Sequence, residues 1–332
     1  MFRSMKDELA YVGSSGSCLR VISGAFGTGK SFSLRALQEY AHKQGFATSF
    51  LTLSSRECPM YDLKTVYRHI VKGIRVSHCH DRPAFEEMLR GWLQRLQPAT
   101  IRRKLSPSAD NGVDQHFKRA LLQYYEGIQS VMPERSDLAL RWLCGETTLR
   151  EARRLGIAFN TSSQDAPTMM RNLTRLVRLL GWQGLAILVD EADAIPVLPT
   201  PAKREAAYAN LRTLAKAAST TPHSCFAYAA TMAFFDTTPE GFNGSLDDVV
   251  ELDRLKGNDL SRLARGIRDM HFQAHQWNNP DFDEPTLRRF VSKCTRNSVR
   301  TPRDFVITMV TALDNCQEND GLTLDEVTVA GA

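Results

Sequence analysis

The sequence predicts an α/β fold: a parallel sheet carrying a long helical insertion and a C-terminal helical lid. Three observations predict it. Near the N-terminus a glycine-rich loop stands between a short apolar run and a stretch with helical spacing. Further on, Leu185–Val189 (LAILV) and Cys225–Ala230 (CFAYAA) show the continuous hydrophobicity of strands buried on both faces. Between these regions, over residues 61–168, apolar residues recur at helical rather than alternating spacing.

Each element follows from local pattern. Leu19–Ser23 (LRVIS) reads as the first strand. After the loop, Phe32, Leu34, Leu37, Tyr40 and Ala41 repeat at helical spacing, and Gly45 ends that helix as a glycine C-cap does. Ala47–Leu53 (ATSFLTL) is rich in strand formers, completing the strand–loop–helix–strand unit that opens a parallel sheet. In the insertion, Val66, Tyr67, Ile70, Val71 and Ile74 form one amphipathic stripe. Phe85, Met88, Leu89, Trp92, Leu93 and Leu96 form a second, and Phe117, Leu121, Leu122, Tyr124 and Tyr125 begin a third. Helices are expected over Asn172–Leu180 and Arg204–Ala218, a last short strand over Val249–Leu252, and helices from Asp259 onward, divided at Pro280, Pro285 and Pro302. The core is expected over residues 1–256 and the lid over residues 257–332.

The chain of 332 residues has 42% hydrophobic and 24% charged residues, enough to bury a sizeable core and too apolar for a disordered chain. Its net charge of +5 permits nucleic-acid contact without arguing for it. The N-terminus lacks the apolar stretch of a secretory signal, and no apolar run approaches the roughly 18 residues that a membrane span needs. Seven scattered cysteines with no CxxC spacing read as free thiols, so a cytoplasmic protein without membrane contact is expected. His78-Cys79-His80-Asp81 matches no zinc-ligand spacing and reads as a polar loop.

Gly24-Ala25-Phe26-Gly27-Thr28-Gly29-Lys30-Ser31 fits GxxxxGK[ST] in full, the Walker A motif of P-loop NTPases. Glycines let the backbone wrap phosphates without Cβ clashes, and the loop N–H groups with the following helix N-terminus supply partial positive charge. The phosphate-binding set is Gly24 to Phe32. Lys30 is expected at the β- and γ-phosphates of ATP, and Ser31 on Mg2+. Asp190-Glu191 closes the LAILV strand as a Walker B pair does. There Asp190 holds Mg2+ through water and Glu191 polarises the attacking water.

Asp190-Glu191-Ala192-Asp193 also spells DEAD, and Ala230-Thr231 echoes a helicase motif. The stretch after Thr231 is expected to be too short for a second RecA domain, and it lacks an HRxGR-like arginine motif. Thr231, at the end of CFAYAA, instead stands at the sensor 1 position of the AAA+ architecture, where a polar side chain meets the γ-phosphate or the lytic water. In Arg300-Thr301-Pro302-Arg303-Asp304, Thr301 reads as an N-cap, Pro302 as the first helical residue and Asp304 as a first-turn acid. Arg303 then opposes the helix dipole. That argues for a functional role, the sensor 2 arginine of a helical lid. A trans-acting arginine finger is less evident: between Thr231 and Arg254 there is no Lys or Arg, leaving Arg204, Arg212 and Arg254 as candidates. Two basic clusters stand in the insertion, Arg90, Arg95, Arg102, Arg103 and Lys104, and then Arg141, Arg150, Arg153 and Arg154 with Trp142 beside them. They read either as a nucleic-acid surface with interleaved aromatics or as a solvated face laced with Glu86, Glu87, Glu146 and Glu151.

GAFGTGKSFSLRALQEYAHKQGF, SSRECPMYDLKTVYRHIV, LVDEAD, REAAYANLRTLAKAA, FAYAATMAFFD and RTPRDFVITMVTALD occur in that order. From Leu19 to Asp314 the chain resembles the ATP-binding P-loop proteins of BREX-type bacteriophage defence loci, which are similar to origin-recognition-like and STAND AAA+ ATPases. The resemblance implies an AAA+-like fold, ATP and Mg2+ as ligands, and other defence-system proteins as partners. It matches Lys30 and Ser31 to the Walker A pair, Asp190 and Glu191 to the Walker B pair and Arg303 to the sensor arginine. Two departures stand out. The arm before Leu19 is short, where such proteins carry a helical segment that helps hold adenine. The stretch after the lid is expected to be too short for a complete winged-helix domain. Three readings follow: an ATPase acting in a defence complex, an ATP-dependent switch or scaffold with little turnover, and an ATP-gated DNA-binding loader or transposition regulator. Homo-oligomerisation and DNA contact stay open in each.

Overall fold

In a computed structural model the described residues are 2–79, 81–130, 132–159, 165–236, 249–253, 255–296, 299, 301–319, 322–324, 326 and 327. They form a six-stranded, mostly parallel sheet in the order β3-β2-β4-β5-β1-β6, with many helices. The elements begin with α1 (Phe2–Ser14), β1 (Ser17–Ser23), α2 (Lys30–Lys43) and β2 (Ala47–Thr52). The insertion holds α3 (Leu63–Lys72), β3 (Ile74–Arg75), α4 (Phe85–Gln94), α5 (Pro98–Lys104), α6 (Gln115–Gln129), α7 (Pro133–Leu143), α8 (Leu149–Arg154) and α9 (Ala166–Leu179). Then follow β4 (Leu185–Asp190), a 3-10 turn (Ala192–Ala194), α10 (Pro201–Ser219), β5 (Ser224–Ala230), α11 (Met232–Asp236) and β6 (Val249–Glu251). The chain continues through α12 (Gly257–His275), α13 (Glu284–Arg296) and α14 (Pro302–Glu318).

The central strands owe their place to sequence. Every residue of β4 and of β5 is buried, as their unbroken apolar runs require. β4 lies parallel to β2 on one side and to β5 on the other, with Val189 opposite Leu51 and Tyr228. Helix α2 buries Leu34, Leu37 and Ala41. Its Gln38 and His42 side chains bond the Thr48 hydroxyl of β2 at 3.1 and 2.8 Å. Gly45 has φ +77, the left-handed conformation that glycine adopts without Cβ strain.

Three local expectations are corrected. Ile74 does not continue the α3 stripe: the helix ends at Lys72, and Ile74 begins β3, a short edge strand antiparallel to β2. With only two residues, it offers no period to read. The N-terminal arm is a helix, α1, with Met5, Leu9 and Val12 buried. Trp142 is fully buried against Phe117 and Phe159, and its indole N–H donates to the Phe159 carbonyl at 3.2 Å. It belongs to the core and presents no stacking surface for bases.

Residue contacts divide the chain into two compact units, 1–22 with 31–250, and 23–30 with 251–332. The first holds β2 to β5 and the helical insertion around one continuous core. The second joins the glycine-rich loop to α12, α13 and α14, whose core is built on Ile267, Leu287, Phe290, Phe305, Met309 and Leu313. Among the described residues no helix is long and apolar enough to cross a membrane.

Candidate nucleotide site

The glycine-rich loop runs from the end of β1 into the first turn of α2. Gly27 and Gly29 have φ +75 and +101, positions where an L side chain is strained. Thr28 holds the turn: its hydroxyl donates to the Ala25 carbonyl at 2.8 Å. Lys30 bends over the loop, its ammonium donating to the carbonyls of Gly24 at 3.0 Å and Ala25 at 3.1 Å, and standing 5.4 Å from the Phe26 ring centroid. Phe26 and Phe32 are exposed; Ser31, in the first turn of α2, is also exposed, and Ser33 is buried.

The N-terminus of α14 meets this loop. The Arg303 backbone N–H donates to the Gly27 carbonyl at 3.2 Å. A Cβ on Gly27 would lie 2.7 Å from the Thr301 hydroxyl. Thr301 caps α14, accepting the Asp304 N–H at 3.1 Å and donating its hydroxyl to the Asp304 carboxylate at 2.7 Å. Pro302 is the first residue of the helix. The Arg303 side chain is exposed. Arg300, beside it in sequence, lies outside the described residues.

The acidic pair is built at the end of β4. Asp190 is 7% exposed, and its Oδ1 accepts the Glu191 N–H at 3.0 Å. Its second oxygen keeps acceptor capacity of the kind a hard, oxygen-seeking cation requires. Glu191 takes a left-handed backbone, φ 58 and ψ 42, which is uncommon for a residue with a side chain. That turn carries its carboxylate to the surface, while Ala192 packs inward. Strand β5 neighbours β4, and Thr231 follows its last residue. Thr231 donates both its N–H and its hydroxyl to Asp193. Asp193 thus has a partner across the two strand ends, and its signal in the sequence is the repeated acid of Asp190-Glu191-Ala192-Asp193.

Arg204 donates to the Leu198 carbonyl at 2.7 Å, and Arg254 lies outside the described residues. In the basic clusters, Arg90 pairs with Glu86 at 2.7 Å and Arg141 with Glu151 at 3.0 Å, as a charge-laced solvated face does. Cys79 is buried and His78 exposed in the loop before α4, and His80 lies outside the described residues.

The family profile described as "BREX system ATP-binding protein BrxC/D" matches residues 1–247 and 237–330. The chain belongs to this BREX ATP-binding family. No curated protein sequence matches it. Among solved structures, the chain is similar to a Drosophila ORC structure bound to DNA at 13% identity and a TM-score of 0.50. That match covers 96% of this chain and 62% of the other. It is similar also to the Aeropyrum pernix ORC2 protein in ADPNP and ADP complexes, again at 13% identity and a TM-score of 0.50, over 98% of this chain and 64% of that one. The BREX chain therefore spans less than two thirds of these neighbours, and shares with them the AAA+ fold.

Proposed function

We propose that this BREX protein is an ATPase that hydrolyses Mg-ATP to ADP and phosphate within a defence complex. The observations that carry the reading are a complete GxxxxGKS sequence leading into α2, and a buried Asp190 with an adjacent Glu191 at the end of β4. The arch of Gly24–Gly29 with its positive-φ glycines suits phosphate oxygens, which take hydrogen bonds from backbone N–H groups.

In this reading Lys30 leaves the Gly24 and Ala25 carbonyls for the β- and γ-phosphates. Ser31 and Asp190 fit a magnesium ion, which when bound offsets charge on the phosphates. Glu191 accepts a proton from, or orients, the attacking water. Thr231 and Arg303 act as sensors of the γ-phosphate region. Binding through positioned charges, rather than covalent chemistry, supplies the acceleration. Other BREX proteins are the partners proposed, in a cytoplasmic setting, with DNA or a second copy as further ones. The exposed arginines of the insertion support DNA contact, whereas their glutamate pairing and the burial of Trp142 weaken it.

The test is equilibrium binding of ATP, with and without Mg2+, by wild type and Lys30→Ala. The reading expects tight Mg-dependent binding that the lysine variant loses by about a hundredfold, in line with the worth of a desolvated charge contact. Equal affinity in both proteins refutes the assignment of the loop.

A further inference from the structure

Asp193 and Thr231 are 38 residues apart in sequence and joined by three contacts in space. The Thr231 N–H is shared between the two carboxylate oxygens at 3.0 and 3.1 Å, and the hydroxyl reaches Oδ1 at 2.6 Å. An ionised carboxylate has no proton to give, so the hydroxyl is the donor. The short distance is that of a charge-assisted O–H···O bond. Both residues are half-buried, Asp193 on the 3-10 turn that follows Glu191 and Thr231 at the end of β5.

The bond has a chemical consequence. A threonine hydroxyl carries one proton, and here that proton is committed to Asp193. What remains on Thr231 is acceptor capacity. A γ-phosphate oxygen is itself an acceptor and gains nothing from it; a water molecule can donate to it. We propose that Asp193 is a positioning residue that fixes Thr231 as a hydrogen-bond acceptor for the attacking water, so that the pair governs turnover rather than nucleotide affinity. The proposal rests on the ATPase reading and assigns Thr231 to one of the two partners that its position allows.

The experiment measures kcat and KM for ATP hydrolysis, and the affinities for ATP and ADP, in wild type, Asp193→Asn, Thr231→Val, Thr231→Ser and the Asp193→Asn/Thr231→Val pair. Asp193→Asn keeps the shape of the side chain but removes the charge that holds the Thr231 proton, weakening the bond that fixes its direction. Asp193→Asn and Thr231→Val each lower kcat by about tenfold to a hundredfold, the scale set by misplacing a reactant. KM and both affinities stay within about twofold, Thr231→Ser restores turnover, and the pair is no worse than either single change, as for groups acting in one contact.

Wild-type kcat in Asp193→Asn overturns the proposal, as does a loss of ATP-over-ADP preference in Thr231→Val, which marks a hydroxyl that donates to the γ-phosphate. A wild-type protein that binds ATP without turnover removes the ATPase reading instead. The affinity arm then still decides the direction of the hydroxyl: a preference kept in Thr231→Val upholds it, and a preference lost overturns it.

Discussion

The Arg303 backbone N–H donates to the Gly27 carbonyl at 3.2 Å, tying the first turn of α14 to the middle of the glycine-rich loop. Gly27 also has little room for a side chain. A Cβ there would stand 2.7 Å from the Thr301 hydroxyl oxygen and 3.0 Å from the Thr301 Cβ, at a φ of +75. Gly27→Ala is expected to cost about 1–3 kcal/mol in backbone strain alone and to displace the Thr301 cap. Its thermal midpoint falls and its ATP affinity drops by at least about tenfold, the equivalent of 1.4 kcal/mol. Ala25→Gly, at an exposed position of the same loop, changes affinity little. A melting curve and an ATP titration check both; an unaltered Gly27→Ala protein contradicts the packing.

Thr301 and Arg303 are separable by stability. Thr301→Ala removes the bond to the Asp304 N–H and costs about 1 kcal/mol, as loss of an N-cap does. Arg303→Ala removes a cation from a helix N-terminus, where it opposes the dipole, so stability is unchanged or slightly raised. If Arg303 is a sensor, its loss lowers turnover without loosening the fold. Urea denaturation read beside ATP hydrolysis distinguishes the two; equal destabilisation by both changes contradicts the assignment.

Helix α8 carries an acid-sensitive cap. Glu151 accepts the Thr148 N–H and hydroxyl, each at 2.8 Å. The Thr148 backbone bond, then its hydroxyl and the Arg141 pair, lower its pKa from 4.5 to about 2. A carboxylate lowered on folding adds stability that is complete above the unfolded pKa and lost as pH falls through the folded one. Wild type therefore exceeds Glu151→Gln in stability at pH 6, and the difference shrinks between about pH 4.5 and pH 2. Denaturant midpoints of both proteins across that range read it; a constant gap contradicts the capping role.

His271 holds the C-terminal helices together through both ring nitrogens. Nδ1 accepts the Trp277 indole N–H at 2.9 Å, and Nε2 donates to Asp314 at 2.8 Å. An indole is only a donor, so Nδ1 is unprotonated and the proton sits on Nε2. His275, stacked on His271, brings a second imidazole close to Asp314. A metal on Nε2 would put the proton on Nδ1, facing the indole N–H, so these hydrogen bonds favour a structural clamp over a metal site. Trp277→Phe leaves Nδ1 without this donor and is expected to cost about 1–3 kcal/mol, with loss of Phe282 and Phe272 contacts added. The denaturation midpoint of the C-terminal unit, followed by hydrogen exchange in α12, gives the check; unchanged protection contradicts the clamp.

What the sequence made legible was local. Gly24–Ser31, Asp190 closing an apolar run, Gly45 after α2 and Thr301-Pro302 opening α14 are each set by residues a few positions apart. Strand identity was readable for β4 and β5 because an unbroken apolar run has few other uses. What depends on neighbours in space was not readable. β3 is too short for a period, and α1 lacked the flanking signals that single out a helix. Trp142 beside arginines suggested a base-stacking surface until the packing of Phe117 and Phe159 placed it in the core. Asp193 acquires a partner only because β4 and β5 are adjacent, a fact of strand order that no short window of sequence contains.

The most direct measurement is steady-state ATP hydrolysis by the purified protein with Mg2+, beside Glu191→Gln and Lys30→Ala. The account predicts Mg-dependent turnover in wild type, with ATP binding kept and turnover lost in Glu191→Gln, and both lost in Lys30→Ala. Turnover that survives Glu191→Gln undiminished, or a wild-type protein that binds Mg-ATP and never hydrolyses it, contradicts the account.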